Sequence, residues 1–405
     1  MRKLIIYPIF IIAITLLFNS CFENDYPSSL YDPDETGNDT PTITNIDPNS
    51  YCLTGAGDTI TITGTNFSND SSGNAVYFGT YAGTIVGQTS TQLKVIPPVV
   101  DGTGLIVEVS CHGAYAMAEY DSQYELERAA IEYGGFTETD IPVSIAVDDD
   151  ENIYVLDVLA NIFKITPEQE KTTIGANITM TDYSAIRFHK SDNQLLNTKI
   201  VFLYNTPLIA DSLINGSEKY PDAANYIIGP PIIQDFDIDQ NNNFYFASKY
   251  DIIILKSDTT KYKVNYPDIS LLSIKVYNGY VYVVSEDKVY RNEIQDALGT
   301  LGATEEIYDF SSVEAKINSI TFSSDGKMVI GCTDDGSGNS YPIYTITPVS
   351  GDYSGSNAVP LYPTALNFPC KRITWGEGNY LYYVNGSYVV RVNMRSGGTN
   401  YYGRE

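Results

Sequence analysis

Beyond residue 140 the apolar and polar positions recur as one phrase: a short alternating apolar run, a tight polar stretch, then a second apolar run. Six copies stand in register, SIAVDDDENIYVLD (144–157), AIRFHKSDNQLLN (185–197), DFDIDQNNNFYFAS (235–248), SIKVYNGYVYVVS (273–285), SITFSSDGKMVIG (319–331) and RITWGEGNYLYYVN (372–385). Their anchors Ile145, Ile186, Phe236, Ile274, Ile320 and Ile373 lie 41, 50, 38, 46 and 53 residues apart. Strand, turn, strand at that period predicts four-stranded blades repeated around a ring. The second copy departs most, with no clear second-strand motif and a long insertion near TPLIADSLINGSEKYPDAANY.

The first copy contains four consecutive acids, Asp148, Asp149, Asp150 and Glu151, which raises the question of a metal or catalytic site. Register answers it. The same slot holds His189-Lys190-Ser191-Asp192-Asn193, Asp239-Gln240-Asn241-Asn242-Asn243 and Ser323-Ser324-Asp325-Gly326-Lys327 in other copies. A position that accepts acid, base, amide and glycine alike is selected for bending the chain. One tight turn also supplies only part of the six to eight oxygens that calcium takes. No metal and no cofactor is expected.

Residues 41–126 carry a second pattern. Thr59 to Phe67 alternates Ile60 and Ile62 with threonines, as a strand with one buried face does. Gly64, Gly79, Gly83 and Pro97-Pro98 punctuate further short strands. The residues Pro41, Ile43, Ile46, Pro48, Gly64, Asn66, Phe67, Phe78, Gly79, Leu93 and Pro97-Pro98 resemble the IPT/TIG domain, which implies an immunoglobulin-like sandwich. The repeats resemble NHL-type six-bladed propellers, most closely in NIYVLDVLANIFKI and more loosely in VYVVSEDKVYRN and YLYYVNGSYVVRVN. The expected fold is therefore all-β, an immunoglobulin-like sandwich (41–126) followed by a six-bladed β-propeller (127–405).

Composition adds an address. Arg2 and Lys3, an apolar run from Leu4 to Phe18 and then Asn19-Ser20-Cys21 have the form of an export signal. LLFNSC resembles a bacterial lipobox, which implies cleavage after residue 20 and lipid on Cys21; the alternative is an ordinary secretory signal with an incidental cysteine. Residues 21–40 are acidic, without Lys or Arg, and read as a tether. The architecture resembles accessory surface lipoproteins of the Bacteroidota, which implies an outer-membrane location, lipid-anchored and exposed at the cell surface. With 24 Lys plus Arg against 50 Asp plus Glu, the net charge of -26 excludes a phosphate-backbone partner.

Candidate chemistry is sparse. Two histidines, His112 and His189, lie far apart and support neither a His-rich zinc site nor a triad. The single tryptophan, Trp375, occupies a slot that is apolar in the other repeats and is read as core. Arg187, Asp237 and Lys275 share the position after the anchor in three successive repeats, and read as ion pairs between blades or as a polar channel site. Cys52 with Cys111, and Cys332 with Cys370, are expected to form disulfides in an oxidising compartment. Strand direction gathers Asp157, Tyr183, Lys249, Tyr250, Asp251, Glu286, Asp287, Asp334, Asp335, Lys371, Arg372 and Asn385 on one face of the propeller. Resemblance to glycan-uptake accessories implies that this face binds a polysaccharide without catalysis. A docking module for an outer-membrane protein, and a propeller lyase or hydrolase, are the alternatives.

Overall fold

The computed structural model describes residues 37–159, 161–176, 181–189, 194–201, 206–212, 218–220, 233–257 and 260–399. The expected leader and Cys21 lie outside them. Every regular element among the described residues is a strand, and the chain is all-β. The chain divides into two compact units, the larger being Leu126–Glu405 with the short segments Leu53–Asp58 and Val99–Asp101. The boundary expected at 126/127 falls inside the strand Tyr124–Arg128.

In the first unit, Thr42–Asp47, Ile60–Thr65, Gln92–Ile96 and Thr84–Thr89 form one sheet. Ala118–Glu119, Val107–Cys111, Asn74–Phe78 and Tyr81–Ala82 form another. Ile60 and Ile62 turn inward with Phe78, Leu93, Val95 and Val107, all fully buried. Gly64 is required by close approach, because a Cβ there would lie 1.8 Å from the Thr42 carbonyl oxygen.

The second unit contains six four-stranded antiparallel sheets. The first strands are Pro142–Val147, Thr181–His189, Ile233–Ile238, Ser273–Tyr277, Ala315–Phe322 and Ile373–Trp375. Each touches the first strand of the next blade, and the last touches the first, so these strands line the centre of a closed ring. The ring is tied by Ala130–Tyr133, which runs antiparallel to Tyr388–Asn393 and becomes the fourth strand of blade six. That pairing joins the two ends of the repeat array across the chain. Blade two contains three strands beyond its first, Gln194–Val201, Thr206–Ser212 and Glu218–Tyr220, two of them inside the insertion that had no legible motif.

The repeat anchors form the inter-blade core. Ile145, Ile186, Phe236, Ile274 and Ile320 are 3% exposed or less, and each buried apolar side chain of this size contributes about 1.5–3 kcal/mol. Trp375 is core as its register implied: it is 2% exposed, packs with Val329, Leu381 and Val392, and donates its ring N–H to Gly378.

The two expected disulfides are not formed; Cys52, Cys111, Cys332 and Cys370 are all buried, and none is bonded to another through sulfur. Cys52 and Cys111 sit on different sheets, and the Cys111 thiol turns to Asn74 Oδ1 at 3.2 Å. Cys332 and Cys370 are neighbours, joined by a 2.8 Å bond from the Cys370 N–H to the Cys332 carbonyl. Burial pushes both thiols well above their ordinary pKa.

Candidate functional site

The propeller has two faces, and the acidic run of blade one lies on the face formed by first-to-second-strand turns. Asp148 is 6% exposed, and its carboxylate accepts bonds from the Asp150 and Asn152 N–H groups, the Asn152 amide and the Tyr154 hydroxyl, at 2.9–3.1 Å. Blade three repeats this constellation. Asp239 accepts from the Asn241 and Asn243 N–H groups, the Asn243 amide and the Tyr245 hydroxyl, at 2.8–2.9 Å. Glu151 and Asn242 occupy the same slot with φ of 60° and 62°, in the left-handed region. The side chains of Asp149 and Asp150 are exposed. Glu151 does more than turn the chain: its Oε1 accepts the Gly378 N–H of blade six at 3.1 Å, and a Cβ at Gly376 would collide with it. Burial and the adjacent Asp148 carboxylate push the Tyr154 phenol well up, and Tyr245 beside Asp239 is raised for the same reasons.

The opposite face is built as strand alternation requires. Backbone at or just before the start of the first strand of blades four, five and six hydrogen-bonds to the end of a second strand, or to the turn after it, in the preceding or the same blade. Leu271 N–H donates to the Lys249 carbonyl at 3.0 Å, Ile317 N–H to that of Glu286 at 2.8 Å and Lys371 N–H to that of Val384 at 3.0 Å.

Several side chains expected to be ligand-facing are instead occupied by the fold. Asp157 is 5% exposed and binds the Asn161 backbone N–H and side-chain amide, both at 2.7 Å, so it closes its own hairpin. Asp251 pairs with Lys263 at 3.6 Å, and Glu286 with Lys316 at 3.1 Å. Asp287 accepts the Ser285 hydroxyl, Asp334 the Gly336 N–H and Ser340 hydroxyl, and Asp335 the Ser337 N–H. The Asn385 amide donates to the Asn367 carbonyl at 2.9 Å. The strand holding Tyr183 belongs to blade two, but its side chain lies outside the described residues, as does that of His189. Lys249, Tyr250 and Lys371 remain exposed, with the Lys249 ammonium 5.0 Å from the Tyr250 ring centre. Neither lysine forms an ion pair among the described residues.

Sequence reasoning found half of the central polar layer. Lys275 pairs with Asp237 between blades at 3.2 Å, as shared register suggested. Arg187, however, pairs with Asp235 at 2.6 Å, one position before the anchor. Asp235 is fully buried and also accepts the Ser273 hydroxyl at 2.7 Å and the Phe236 N–H at 3.0 Å. Asp237 additionally accepts the Val276 N–H at 2.8 Å. Arg372, expected among face residues, instead reaches across the ring. Its Nη2 donates to the Gln234 carbonyl at 2.8 Å, and Nη1 lies 3.3–3.4 Å from those of Leu272, Asn318 and Lys371. The four carbonyls belong to four blades, each two residues before its anchor, so register alone marks the layer once the anchors are aligned. Burial holds the Arg372 guanidinium below its usual pKa.

Among the described residues no group of three or more His, Cys, Asp or Glu side chains is arranged to hold a metal ion. A cavity of about 440 Å³ also opens beside blade six, lined by Glu132, Gln169, Asn367, Asn385 and Tyr388 among others.

Residues 41–125 match the IPT/TIG domain. No curated protein matches the chain. A solved structure from Bacteroides thetaiotaomicron, provisionally named a phosphatase, superposes with a TM-score of 0.53 at 10% identity over 90% of this chain and 98% of that one. An auxiliary nutrient binding protein from the same organism gives 0.49 at 12% identity over 89% and 98%. A gluconolactonase from Xanthomonas campestris gives 0.48 at 8% identity over 64% and 87%. Of these three only the first exceeds 0.5, and identities this low bear on the fold alone.

Proposed function

We propose that this protein is a non-catalytic lipoprotein of the outer membrane, exposed at the cell surface, whose propeller binds a polysaccharide as an accessory to glycan uptake. The working division is a signal peptide to residue 20, a tether over 21–40, the sandwich over 41–126 and the propeller over 127–405. One observation carries the non-catalytic reading: Asp235 and Asp237, the buried carboxylates of the described inner strands, are consumed by internal ion pairs and backbone donors. Neither is left to act as an acid, base or nucleophile. The exposed Lys249, Tyr250 and Lys371 offer a stacking ring and hydrogen-bond donors, the groups that sugar recognition uses.

A glycan array followed by titration calorimetry tests this reading. Tyr250→Ala and Lys371→Ala are expected to weaken the bound glycan about tenfold each, while Asp149→Asn and Asp150→Asn leave it unchanged. The reverse ranking would move the site to the other face. A shortened glycan recovered after incubation would return the protein to the enzymes. The second reading, docking to an outer-membrane protein, is favoured by Val158 and Leu159, which are 56% and 72% exposed at the turn after blade one's second strand. Crosslinking at Leu159 that captures a membrane protein, with an array that stays blank, would establish it.

The anchor has its own test. Cys21→Ala is expected to move the protein from the membrane pellet to the soluble fraction while its melting temperature stays the same. Retention in the pellet would show that something other than lipid on Cys21 holds it.

A further inference from the structure

Arg372 has more donors than the fold satisfies. A guanidinium offers five N–H groups in a fixed fork. Only the Gln234 contact, at 2.8 Å, has an ordinary hydrogen-bond length; the other three lie at 3.3–3.4 Å and share Nη1. The Nε atom is buried with no hydrogen-bond partner among the described residues. The side-chain amide nitrogen of Asn318, a residue whose backbone carbonyl Arg372 approaches, is likewise buried without an acceptor among the described residues. Each orphaned buried donor is destabilising until an acceptor arrives.

Charge points the same way. Arg187 and Lys275 are each matched by a carboxylate, Asp235 and Asp237, so the paired layer is neutral. Arg372 adds a positive charge that no carboxylate answers within ion-pair distance among the described residues, in a chain whose net charge is -26. Asp235 draws on it through space but is already saturated by Arg187, the Ser273 hydroxyl and backbone N–H groups. Backbone carbonyls hold a cation without neutralising it. Arg372 is also partly exposed, and Lys371 beside it is exposed.

We propose that this end of the propeller channel is an oxyanion site, in which Arg372 and Asn318 bind an acidic group of the ligand. The inference rests on the glycan-binding reading and sharpens it: the polysaccharide is an acidic one, carrying carboxylates or sulfate esters. The planar fork matches either group through paired N–H···O bonds. A neutral glycan leaves the orphaned donors as they are.

The test titrates three probes into the full chain: an oligogalacturonide, its carboxyl-reduced neutral counterpart and a sulfated galactan oligosaccharide. The expected result is binding of one or both acidic probes, at least tenfold tighter than the neutral one. Arg372→Gln should erase that preference, and Asn318→Ala should reduce it several-fold. The stronger of the two acidic probes identifies the anion. Equal affinity for the neutral and acidic probes, or an Arg372→Gln variant with unchanged preference, overturns the oxyanion site and leaves glycan binding standing. If none of the three binds, free galacturonate and inorganic sulfate still interrogate the site without any glycan reading. A melting-temperature rise in the parent that is lost in Arg372→Gln sustains it, and equal rises in both overturn it, since sulfate stabilises proteins generally. Should Arg372→Gln fail to fold, Arg372→Lys retains the charge but loses the fork, and an unchanged preference there is equally fatal.

Discussion

Asp235→Ala is expected to lower the unfolding free energy of the propeller by about 3–5 kcal/mol, the usual cost of leaving a buried charge without its partner. Asp235 is fully buried, and its two oxygens answer Arg187 at 2.6 Å, the Ser273 hydroxyl at 2.7 Å and the Phe236 N–H at 3.0 Å. Alanine would strand the Arg187 guanidinium, itself 9% exposed, at the junction of blades two, three and four. The pair as a whole is a different matter, because desolvating both ions costs much of what their attraction returns. Asp235→Ala combined with Arg187→Met should therefore recover most of the loss. Lys316→Ala, which breaks the exposed pair with Glu286, should cost under about 1 kcal/mol. Urea unfolding followed by the fluorescence of Trp375, a probe buried in the propeller, reads all three variants. An Asp235→Ala variant no less stable than Lys316→Ala would show that the central ion pair is solvated and contributes little.

The same residues mark how far the sequence could be read. Blade number, anchor positions and the burial of Trp375 were legible because each is a periodic feature, and a period survives without knowledge of partners. The Lys275–Asp237 pair was legible for that reason too, since both residues hold one slot in adjacent repeats. The partner of Arg187 was not legible in that slot, because its carboxylate sits two residues away from it, on Asp235. Geometry across blades, not register within them, decides which oxygen is nearer. The closing strand Ala130–Tyr133 pairs with residues far along the chain, Tyr133 with Val389 and Ala130 with Val392, and no local pattern announces such a contact. The disulfides failed on a similar ground. An even cysteine count does not say which side chains face one another: the Cys111 thiol turns to Asn74, and Cys332 and Cys370 meet through their backbones and not their sulfurs. On the candidate face, strand direction carried no information about which side chains are available. Asp157, Asp287, Asp334 and Asp335 serve their own turns, a competition that Asx side chains enter wherever neighbouring N–H groups are within reach.

The acids of blade one supply the second large effect, and it falls on the member of the run that looks least distinctive. Asp239→Ala and Asp148→Ala are each expected to destabilise the propeller by about 2–4 kcal/mol, because hydrogen bonds to a buried carboxylate are strong and their loss leaves buried donors unsatisfied. In blade three those donors are the Asn243 amide and the Tyr245 hydroxyl, both on fully buried residues; in blade one they are Asn152 and Tyr154, which are nearly so. Tyr245→Phe should recover part of the Asp239→Ala loss by removing one orphaned hydroxyl. Asp149→Asn and Asp150→Asn change exposed side chains and should stay within about 0.5 kcal/mol of the parent. Calcium added to the parent should leave the urea midpoint where it was, since the Asp148 oxygens already serve four donor groups. Should Asp149→Asn or Asp150→Asn destabilise as much as Asp148→Ala, or calcium raise the midpoint, the run would be a cation site and not a turn.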